Sequence, residues 1–388
     1  MKLSRNLLII LLSLLIIMIV GWNFFIFRER QIFNLKIKSD RVAVRDNSLD
    51  NGDNKFFSWV NLENELNDGN QATENNESET EVNDPIKLLF FGDMMLDRHV
   101  GEKINKYGLD YLLEKINEDG FTSGYDLVSA NLEGAVTNNG AHYKPDNAYD
   151  FSFKPELIQE LKKYNFNFFN LANNHLSDQG RIGVEETYEN LSDLGFYYSG
   201  CQDAYLFVST TSSEILLGGS MPVLDYDNCS DIVLSIKNRK IAFLGLSLVY
   251  KEIPENEIID RIRKLKEDND LVIVNIHFGN EYQGQSNDKQ KKMARKMVDS
   301  GADIIIGHHP HVIQDYEIYQ EKPIFYSLGN FIFDQYFSPE TQEGLAIKIT
   351  IKEESNNIEG AEEGIKIESE VYKIKTKGSK IEEISKMP

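Results

Sequence analysis

An alternation of apolar and helical segments that begins at residue 86 constrains the fold more than any other feature of the sequence. Apolar runs too short for surface helices predict buried strands at 86–91, 127–130, 166–171, 271–276 and 304–306. Helical spacing of apolar residues predicts helices between them at 155–164, 183–194, 255–267 and 288–300. Residues alternating with period two predict antiparallel strands at 232–236, 240–246, 345–351 and 365–374. An α/β domain of two packed sheets with outer helices accommodates both strand types.

Polar residues follow the predicted buried strands, and five of the seven histidines are among them. In strand order these residues are Asp93, then Asn131 and Glu133, then Asn173, Asn174 and His175, then His277, and finally His308, His309 and His311. Loops beyond the carboxyl ends of strands converge in layered α/β domains, so these side chains are expected to meet. Carboxylates, imidazoles and amide oxygens are ligands of Zn, Mn or Fe. The pattern therefore predicts a site for one or two divalent ions.

Each of these residues also has a simpler interpretation. Asp93 at a strand end is typical of a helix cap or a turn. His277 is equally typical of a hydrogen-bonded core histidine, and Asn174 of an Asx turn. The coincidence of five loops favours the metal site, and the cluster at 308–311 is the hardest to explain by packing alone.

The N-terminal part of the chain is organised differently. Residues 7–27 are almost entirely apolar, and at about 1.5 Å per residue they span a hydrocarbon core of about 30 Å. Residues 46–85 carry eleven acidic residues and a single lysine, which indicates a flexible stalk. We therefore divide the chain into a membrane anchor at 1–30, a stalk at 31–85 and a domain at 86–388.

The orientation of the anchor is ambiguous from charge alone. Basic residues lie on both sides of the apolar run: Lys2 and Arg5 precede it, and six more follow it before residue 46. By the positive-inside rule the first pair places the N-terminus in the cytoplasm, whereas the second group places the C-terminal part there. We expect the C-terminal domain to be extracytoplasmic, because of the motifs described below. The two cysteines, Cys201 and Cys229, are either bridged or two free thiols.

The chain carries 41 basic and 62 acidic residues, a net charge of −21. This balance argues against nucleic acid as the main partner, because proteins that bind the phosphate backbone present clustered Lys and Arg. The basic run at 289–296 is either a local patch for a polyanion or, as we prefer, the solvated face of a helix.

Six ordered motifs between residues 86 and 335 together resemble a known family. They are Gly92-Asp93-Met94-Met95-Leu96 with Arg98, Asn131-Leu132-Glu133, Leu171-Ala172-Asn173-Asn174-His175 with Asp178 and Gly180, His277-Phe278-Gly279-Asn280-Glu281-Tyr282, Gly307-His308-His309-Pro310-His311-Val312, and the run from Tyr326 to Gln335. The chain resembles the CapA/PgsA family of membrane-anchored capsule and poly-γ-glutamate synthesis proteins. The resemblance implies a calcineurin-like metallophosphoesterase fold with two packed mixed β-sheets flanked by helices and metals at strand ends.

The resemblance also implies roles for individual residues. Asp93 corresponds to a ligand of the first metal and Glu133 to a bridging carboxylate. Asn174 would bind the second metal, with His175 beside it as acid or transition-state stabiliser. His277, His309 and His311 would complete the ligands, and His308 is an alternative to either of the last two. The implied substrate contacts are Arg98, His99, Glu281 and Asn330.

Two departures from the phosphoesterase pattern leave alternatives open. Asp93-Met94-Met95 replaces the usual Asp-x-His, and Glu133 replaces an Asp. The binuclear site is therefore weakened, rebuilt with His99 or Glu281, or reduced to one ion.

Three functions remain in consideration. The first is an anchored component of poly-γ-glutamate or capsule synthesis and export that has a metal-dependent hydrolase-like site. The second is a non-catalytic scaffold subunit of the synthase, and the third is a generic cell-surface metallophosphoesterase. The implied partners are the membrane, capsule synthase subunits and an anionic polymer or phosphorylated substrate.

Overall fold

The computed structural model of the protein describes residues 84–140, 142, 149–201, 214–216, 231–250, 253–354 and 364–388. The predicted anchor at 1–30, all but the last two residues of the predicted stalk, and Cys229 lie outside the described residues. Within the described residues, no helix has both the length and the apolar character needed to cross a membrane. Cys201 is disulfide-bonded.

The helices and strands follow one another along the chain in a mixed α/β order. They are β1 Ile86–Met94, α1 Arg98–Tyr107, α2 Leu109–Glu118, β2 Leu127–Leu132, β3 Ala135–Val136, β4 Ser152–Phe153, α3 Pro155–Glu160, β5 Phe168–Asn170, α4 Gly180–Asp193, β6 Tyr197–Ser199, β7 Glu214–Leu216, β8 Asp231–Ile236, β9 Arg239–Ser247, α5 Glu255–Asp268, β10 Leu271–His277, α6 Asp288–Asp299, β11 Ile304–His308, β12 Tyr316–Tyr319, β13 Lys322–Phe325, β14 Asn330–Ile332, β15 Glu343–Glu354, β16 Gly364–Lys377 and β17 Lys380–Lys386.

Two large mixed sheets form the domain. The first sheet has the order β17-β16-β15-β1-β2-β5-β6, with β14 also paired to β1. The second has the order β12-β13-β11-β10-β9-β8-β7. Parallel pairs occupy the centre of each sheet, for example β1 with β2 and β10 with β11, whereas the β15–β17 strands are antiparallel. The prediction of two mixed sheets flanked by helices is confirmed at this level.

Side chains that alternate along β9 show how the layers pack. Ile241 and Phe243 belong to the core between the sheets, where the Phe243 ring centroid lies 4.8 Å from that of Phe168 on β5. Ala242 and Leu244 point the other way, into a second core with residues of α5 and α6. Because both faces of this sheet are covered, its central strands are apolar throughout.

Two helices, α1 and α2, lie between residues 98 and 118, a segment to which no predicted element was assigned. α1 buries only Val100, so its apolar pattern is weak, and Asp97 caps it by accepting a hydrogen bond from the Arg98 N–H. α2 buries Leu109, Leu112, Leu113 and Ile116. These positions have the i, i+3, i+4, i+7 spacing of one helix face, so the sequence does contain the pattern that predicts α2.

Strand register brings the polar residues into two rows at the carboxyl ends of the strands. On the first sheet the row of paired residues comprises Asn330, Asp93, Asn131, Asn170 and Ser199. On the second sheet it comprises Ser247, His277 and His308. Parallel strands end at the same edge, so strand order gathers each row, and packing of the two sheets brings the row of carboxylate and amides against the row of imidazoles.

Candidate metal centre

Asp93, at the end of β1, is the fully buried carboxylate at the middle of the site. Its Oδ1 accepts a hydrogen bond of 2.8 Å from Asn131 Nδ2 and lies 3.2 Å from His308 Nδ1. Its Oδ2 lies 3.2 Å from His311 Nδ1. Burial works to raise the pKa of Asp93, but the contacts with His308 and His311 outweigh burial and hold this pKa well below its usual range. Asp93 is therefore an anionic group in the interior.

Asn131 connects Asp93 to the second buried carboxylate, Glu133. Its Nδ2 also donates to Glu133 Oε1 at 3.0 Å and lies 3.3 Å from His277 Nδ1. Burial, reinforced by the neighbouring charge of Asp93, raises the pKa of Glu133 well above its usual range. The other oxygen, Glu133 Oε2, is buried and has no hydrogen-bond partner. A buried carboxylate with one unsatisfied oxygen beside a second carboxylate is an arrangement that a bound cation stabilises.

His277 and His309 contribute neutral imidazoles to the same site. His277 Nε2 lies 2.7 Å from Asn174 Oδ1 and 3.8 Å from Glu133 Oε1. The His277 and His309 ring centroids are 4.8 Å apart. Burial, with a smaller contribution from His309, holds the pKa of His277 well below its usual value, and burial with His311 lowers the pKa of His309 to about 4. Neutral imidazole is the form that binds metals.

Two groups of side chains bring their ligand atoms within 4.8 Å of one another, which is close enough to hold a metal ion. One group is Asp93, Glu133 and His277, and the other is Glu281, His309 and His311. His309 Nδ1 and Glu133 Oε2 are buried without a hydrogen-bond partner, and His308 Nδ1 has only its 3.2 Å approach to Asp93 Oδ1, which is not aligned as a hydrogen bond. Because unsatisfied buried polar atoms are rare in folded proteins, and these are all metal-ligand types, the residues present fit a divalent ion.

The loop that carries the last histidines has an unusual backbone. His309 and His311 adopt φ values of 96° and 57°, on either side of Pro310. Tyr282 also has positive φ, at 60°, and its N–H donates to the Pro310 carbonyl at 2.8 Å. Residues other than glycine rarely adopt this conformation, and such strain concentrates at functional sites. The surrounding contacts thus impose a conformation that brings the imidazoles of His308 and His311 and the backbone N–H of His309 to Asp93.

His175 lies at the side of this centre. Its Nδ1 is 2.8 Å from Asp178 Oδ2, its backbone N–H donates to Asn173 Oδ1, and its ring centroid is 4.4 Å from that of Phe151. Burial raises the pKa of Asp178 even though His175 opposes the shift. The Asp178 contact fixes the ring and leaves Nε2 as the nitrogen available to a ligand.

A cleft of about 620 Å³ opens onto these residues. Asn174, His175, Glu281 and His311 line it. Four exposed aromatic side chains also line it, and we call them the aromatic rim: Tyr149, Tyr250, Tyr282 and Phe337. Exposed aromatic residues gathered at a cleft are typical of binding surfaces.

The four predicted substrate contacts lie in different surroundings. Arg98 lines the cleft with its guanidinium paired to Asp334 and 4.8 Å from the Phe151 ring centroid. His99 also lines the cleft, but its side chain is 65% exposed and pairs with Glu102. Glu281 joins His309 and His311. Asn330 is buried, and its Oδ1 lies 3.0 Å from His311 Nδ1, so it positions a histidine.

Sequence reasoning missed the roles of Asn131, Asp178 and Asp334. Asn131 stands two residues before Glu133, and this period-two spacing on a strand could have placed both side chains on one face. Asp178 and Asp334 were within recognised motifs, but nothing in the sequence indicates that they contact His175 and Arg98.

Comparison with known proteins identifies the family. Residues 87–335 match the family described as "Bacterial capsule synthesis protein PGA_cap". "Capsule biosynthesis protein CapA" of Bacillus anthracis is 33% identical over 265 residues, covering 65% of this chain and 61% of that protein. "PGA biosynthesis protein CapA" of Bacillus subtilis (strain 168) is 34% identical over 261 residues, covering 66% and 65%. A "Probable polyglutamine synthesis accessory protein" of Mycobacterium tuberculosis is 23% identical over 292 residues, covering 65% and 75%.

The match to the Bacillus proteins thus spans less than two thirds of their length. The family match at 87–335 includes every residue of the two candidate metal groups. The resemblance inferred from the six motifs is confirmed, and the chain belongs to the bacterial capsule synthesis protein family PGA_cap.

Proposed function

We propose that this protein is a membrane-anchored component of poly-γ-glutamate or capsule synthesis and export, with a metal-dependent hydrolase site of the phosphoesterase type. The observation that carries the proposal is the pair of ligand groups around Asp93, with three buried polar atoms left without hydrogen bonds. The names of the relatives support the pathway, and the cleft above the ligand groups supports action on a bound substrate.

The proposed ligands are Asp93, Glu133, Asn174, His277, Glu281, His308, His309 and His311, for one or two ions of Mn, Zn or Fe. His308 has a particular place in this set. The phosphoesterase motif normally supplies an imidazole two residues after the aspartate, and here that position is Met95. His308 Nδ1 lies 3.2 Å from Asp93, whereas His99, the other candidate to rebuild the site, points an exposed side chain towards Glu102. His308 is therefore the replacement that we favour.

Chemistry at such a site divides between the ion and the protein. A bound divalent ion polarises a phosphoryl or carbonyl oxygen and lowers the pKa of water so that it attacks at neutral pH. His175, oriented through Asp178, presents Nε2 to the cleft, where it is placed to pass a proton to a leaving group. Asn131 donates to both Asp93 and Glu133 and so fixes the orientation of the two carboxylates. The ion pair of Arg98 with Asp334 holds the guanidinium at the edge of the cleft.

The alternative that we retain is a scaffold subunit without turnover, which the missing Asp-x-His imidazole favours. Metal content separates it from the hydrolase. We expect the full-length chain, purified in detergent, to contain at least one equivalent of Mn, Zn or Fe by plasma mass spectrometry. We expect His309→Ala to lose most of this metal, because His309 belongs to a ligand group, and His99→Ala to retain it.

Turnover is then measured on a phosphate diester and on γ-linked glutamyl peptides, before and after chelation. We expect chelation to abolish hydrolysis of one of these substrates and added metal to restore it. Less than one equivalent of metal, unchanged in His309→Ala, would instead support the scaffold.

The anchor and the extracytoplasmic placement are part of the same proposal. The disulfide at Cys201 supports this placement, because disulfides persist in oxidising compartments. We expect protease added to intact cells to cleave the stalk at 46–85 and release the domain. Resistance on intact cells, with cleavage only after lysis, would reverse the assigned topology.

A further inference from the structure

The hydroxyl group of Tyr282 is oriented by a chain of amide groups that begins in the interior. A backbone carbonyl only accepts hydrogen bonds, so the atom of Asn330 that lies 3.0 Å from the Thr341 carbonyl oxygen is Nδ2. The same Nδ2 donates to Gln335 Oε1 at 3.1 Å, so Gln335 presents its Nε2 to the Tyr282 hydroxyl, 3.2 Å away. An amide nitrogen only donates, and the Tyr282 oxygen therefore accepts this bond. The hydrogen of the hydroxyl must then point in another direction.

That direction leads into the cleft beside the metal ligands. Tyr282 lines the cleft of about 620 Å³, and its ring centroid lies 6.3 Å from that of His311. Glu281, which belongs to the same ligand group as His311, faces the Tyr282 hydroxyl. A tyrosine hydroxyl keeps its proton at neutral pH. Tyr282 therefore offers the cleft a neutral hydrogen-bond donor next to the second ligand group.

The backbone and a neighbouring ring hold Tyr282 in this position. Its φ is 60°, and its N–H donates to the Pro310 carbonyl at 2.8 Å, between the ligand candidates His309 and His311. Phe337 packs edge-on against the Tyr282 ring, with 5.0 Å between the two centroids. Positive φ is unfavourable for a bulky residue and persists where the surrounding structure imposes it, often at functional sites. The donor is thus in place before a ligand binds, and a donor placed in advance is effective in stabilising negative charge.

We propose that Tyr282 is a catalytic residue that donates a hydrogen bond to an anionic oxygen of a phosphoryl group in the cleft, and that Gln335 is the positioning residue that orients it. A phosphoryl group fits this arrangement, because one of its oxygens can lie against the ligand groups while a second accepts from the hydroxyl. The bond strengthens as negative charge collects on that oxygen, so it favours the transition state over the bound substrate. The effect on turnover rests on the proposed function, but the contact with a phosphate oxygen does not.

The test measures the affinity of the full-length chain in detergent for inorganic phosphate by titration calorimetry, with metal content determined on each preparation. The variant is Tyr282→Phe, which removes the hydroxyl and keeps the ring that packs against Phe337. The matched control is Tyr316→Phe on β12, because Tyr316 is 44% exposed, Tyr282 is 42% exposed, and Tyr316 does not line the cleft. A hydrogen bond to a charged group is stronger than one between neutral groups, so we expect Tyr282→Phe to bind phosphate at least about 10-fold more weakly and to retain its metal. The control should change by less than about 2-fold.

Gln335→Met tests the orientation of the hydroxyl. Methionine has a similar length but cannot donate, so the hydroxyl remains and is free to rotate. We expect phosphate affinity to fall about 3-fold, and Tyr282→Phe combined with Gln335→Met to bind no more weakly than Tyr282→Phe alone, because Gln335 acts through the hydroxyl. Gln342→Met is the control, since Gln342 is a half-buried glutamine that forms hydrogen bonds with Ser338 and Gly378 instead.

Four results would overturn the proposal. Phosphate affinity of Tyr282→Phe within about 2-fold of the parent chain would exclude the contact, and a parent chain that binds no phosphate would assign the cleft to another ligand. Loss of metal from Tyr282→Phe would mean that the hydroxyl supports Glu281 and not a substrate. Additive losses in the double variant would mean that Gln335 does not act through Tyr282. Less than one equivalent of metal in the parent chain would count against the proposed function alone, so the two proposals can fail separately.

Discussion

Asp93→Asn is expected to remove bound metal and hydrolytic activity together. Asp93 is fully buried and contacts His308 and His311, so it is both a proposed ligand and the charge around which the imidazoles are arranged. Asparagine has the shape of aspartate but no negative charge. Its amide oxygen can accept hydrogen bonds, but its amide nitrogen cannot, so one of the two acceptor atoms of Asp93 is lost. Loss of a residue that only supports a metal ligand can lower metal affinity roughly 100-fold. Loss of the ligand Asp93 itself should lower it by at least as much. Metal analysis after dialysis against buffered free metal measures this change.

Asp303→Asn provides the matched control. Asp303 is also buried, but it precedes β11 at the opposite end from His308, where it accepts from the Val272 N–H and pairs with Lys266 and Lys322. Both variants should lose about 1–3 kcal/mol of unfolding free energy in chelator, because each disturbs a buried charged network. Only Asp93→Asn should lose metal. Retention of metal by Asp93→Asn, or its equal loss in Asp303→Asn, would contradict the proposed site.

The convergence of the site residues could be predicted from the sequence because strand direction determines it. Asp93, His277 and His308 each stand at the end of a buried apolar run. Parallel pairing requires His277 and His308 to share one edge of the second sheet, and packing of the two sheets then sets Asp93, on the first sheet, against them. The fold class follows from the same apolar runs, since runs buried on both faces need two covering layers.

The contacts that complete the site could not be predicted, because they depend on loop conformation. Which of the three neighbouring histidines contacts Asp93 is decided by positive φ at His309 and His311, and their residue types give no indication of it. The sequence left Glu281 either as a substrate contact or as a residue that rebuilds the metal site, and its grouping with His309 and His311 depends on the Tyr282–Pro310 hydrogen bond, which holds this loop against the histidine loop. Arg98 meets Asp334 across 236 positions of the sequence, a separation at which local patterns carry no information.

Gly92→Ala is expected to have the largest effect on stability. A Cβ added to Gly92 in β1 would lie 1.9 Å from the Gly329 carbonyl oxygen and 3.2 Å from that of Leu328. Both are backbone atoms next to β14, so β14 must move away from β1. The Asp93 N–H donates to the same Gly329 oxygen at 2.9 Å, and Asp93 is paired with Asn330, so the displacement would reach the metal ligands directly. We expect a loss of more than about 3 kcal/mol in unfolding free energy, measured by chemical denaturation.

Gly284→Ala is the control for this substitution. A Cβ at Gly284 meets no atom within 4 Å, and its backbone does not have positive φ. The change should therefore alter the unfolding free energy by no more than about 0.5 kcal/mol. If Gly92→Ala also stayed within about 1 kcal/mol of the parent chain, β14 would be free to shift. The close approach of β1 and β14 would then not be what fixes Asp93, and its position would have to depend on Asn131 and the histidines alone.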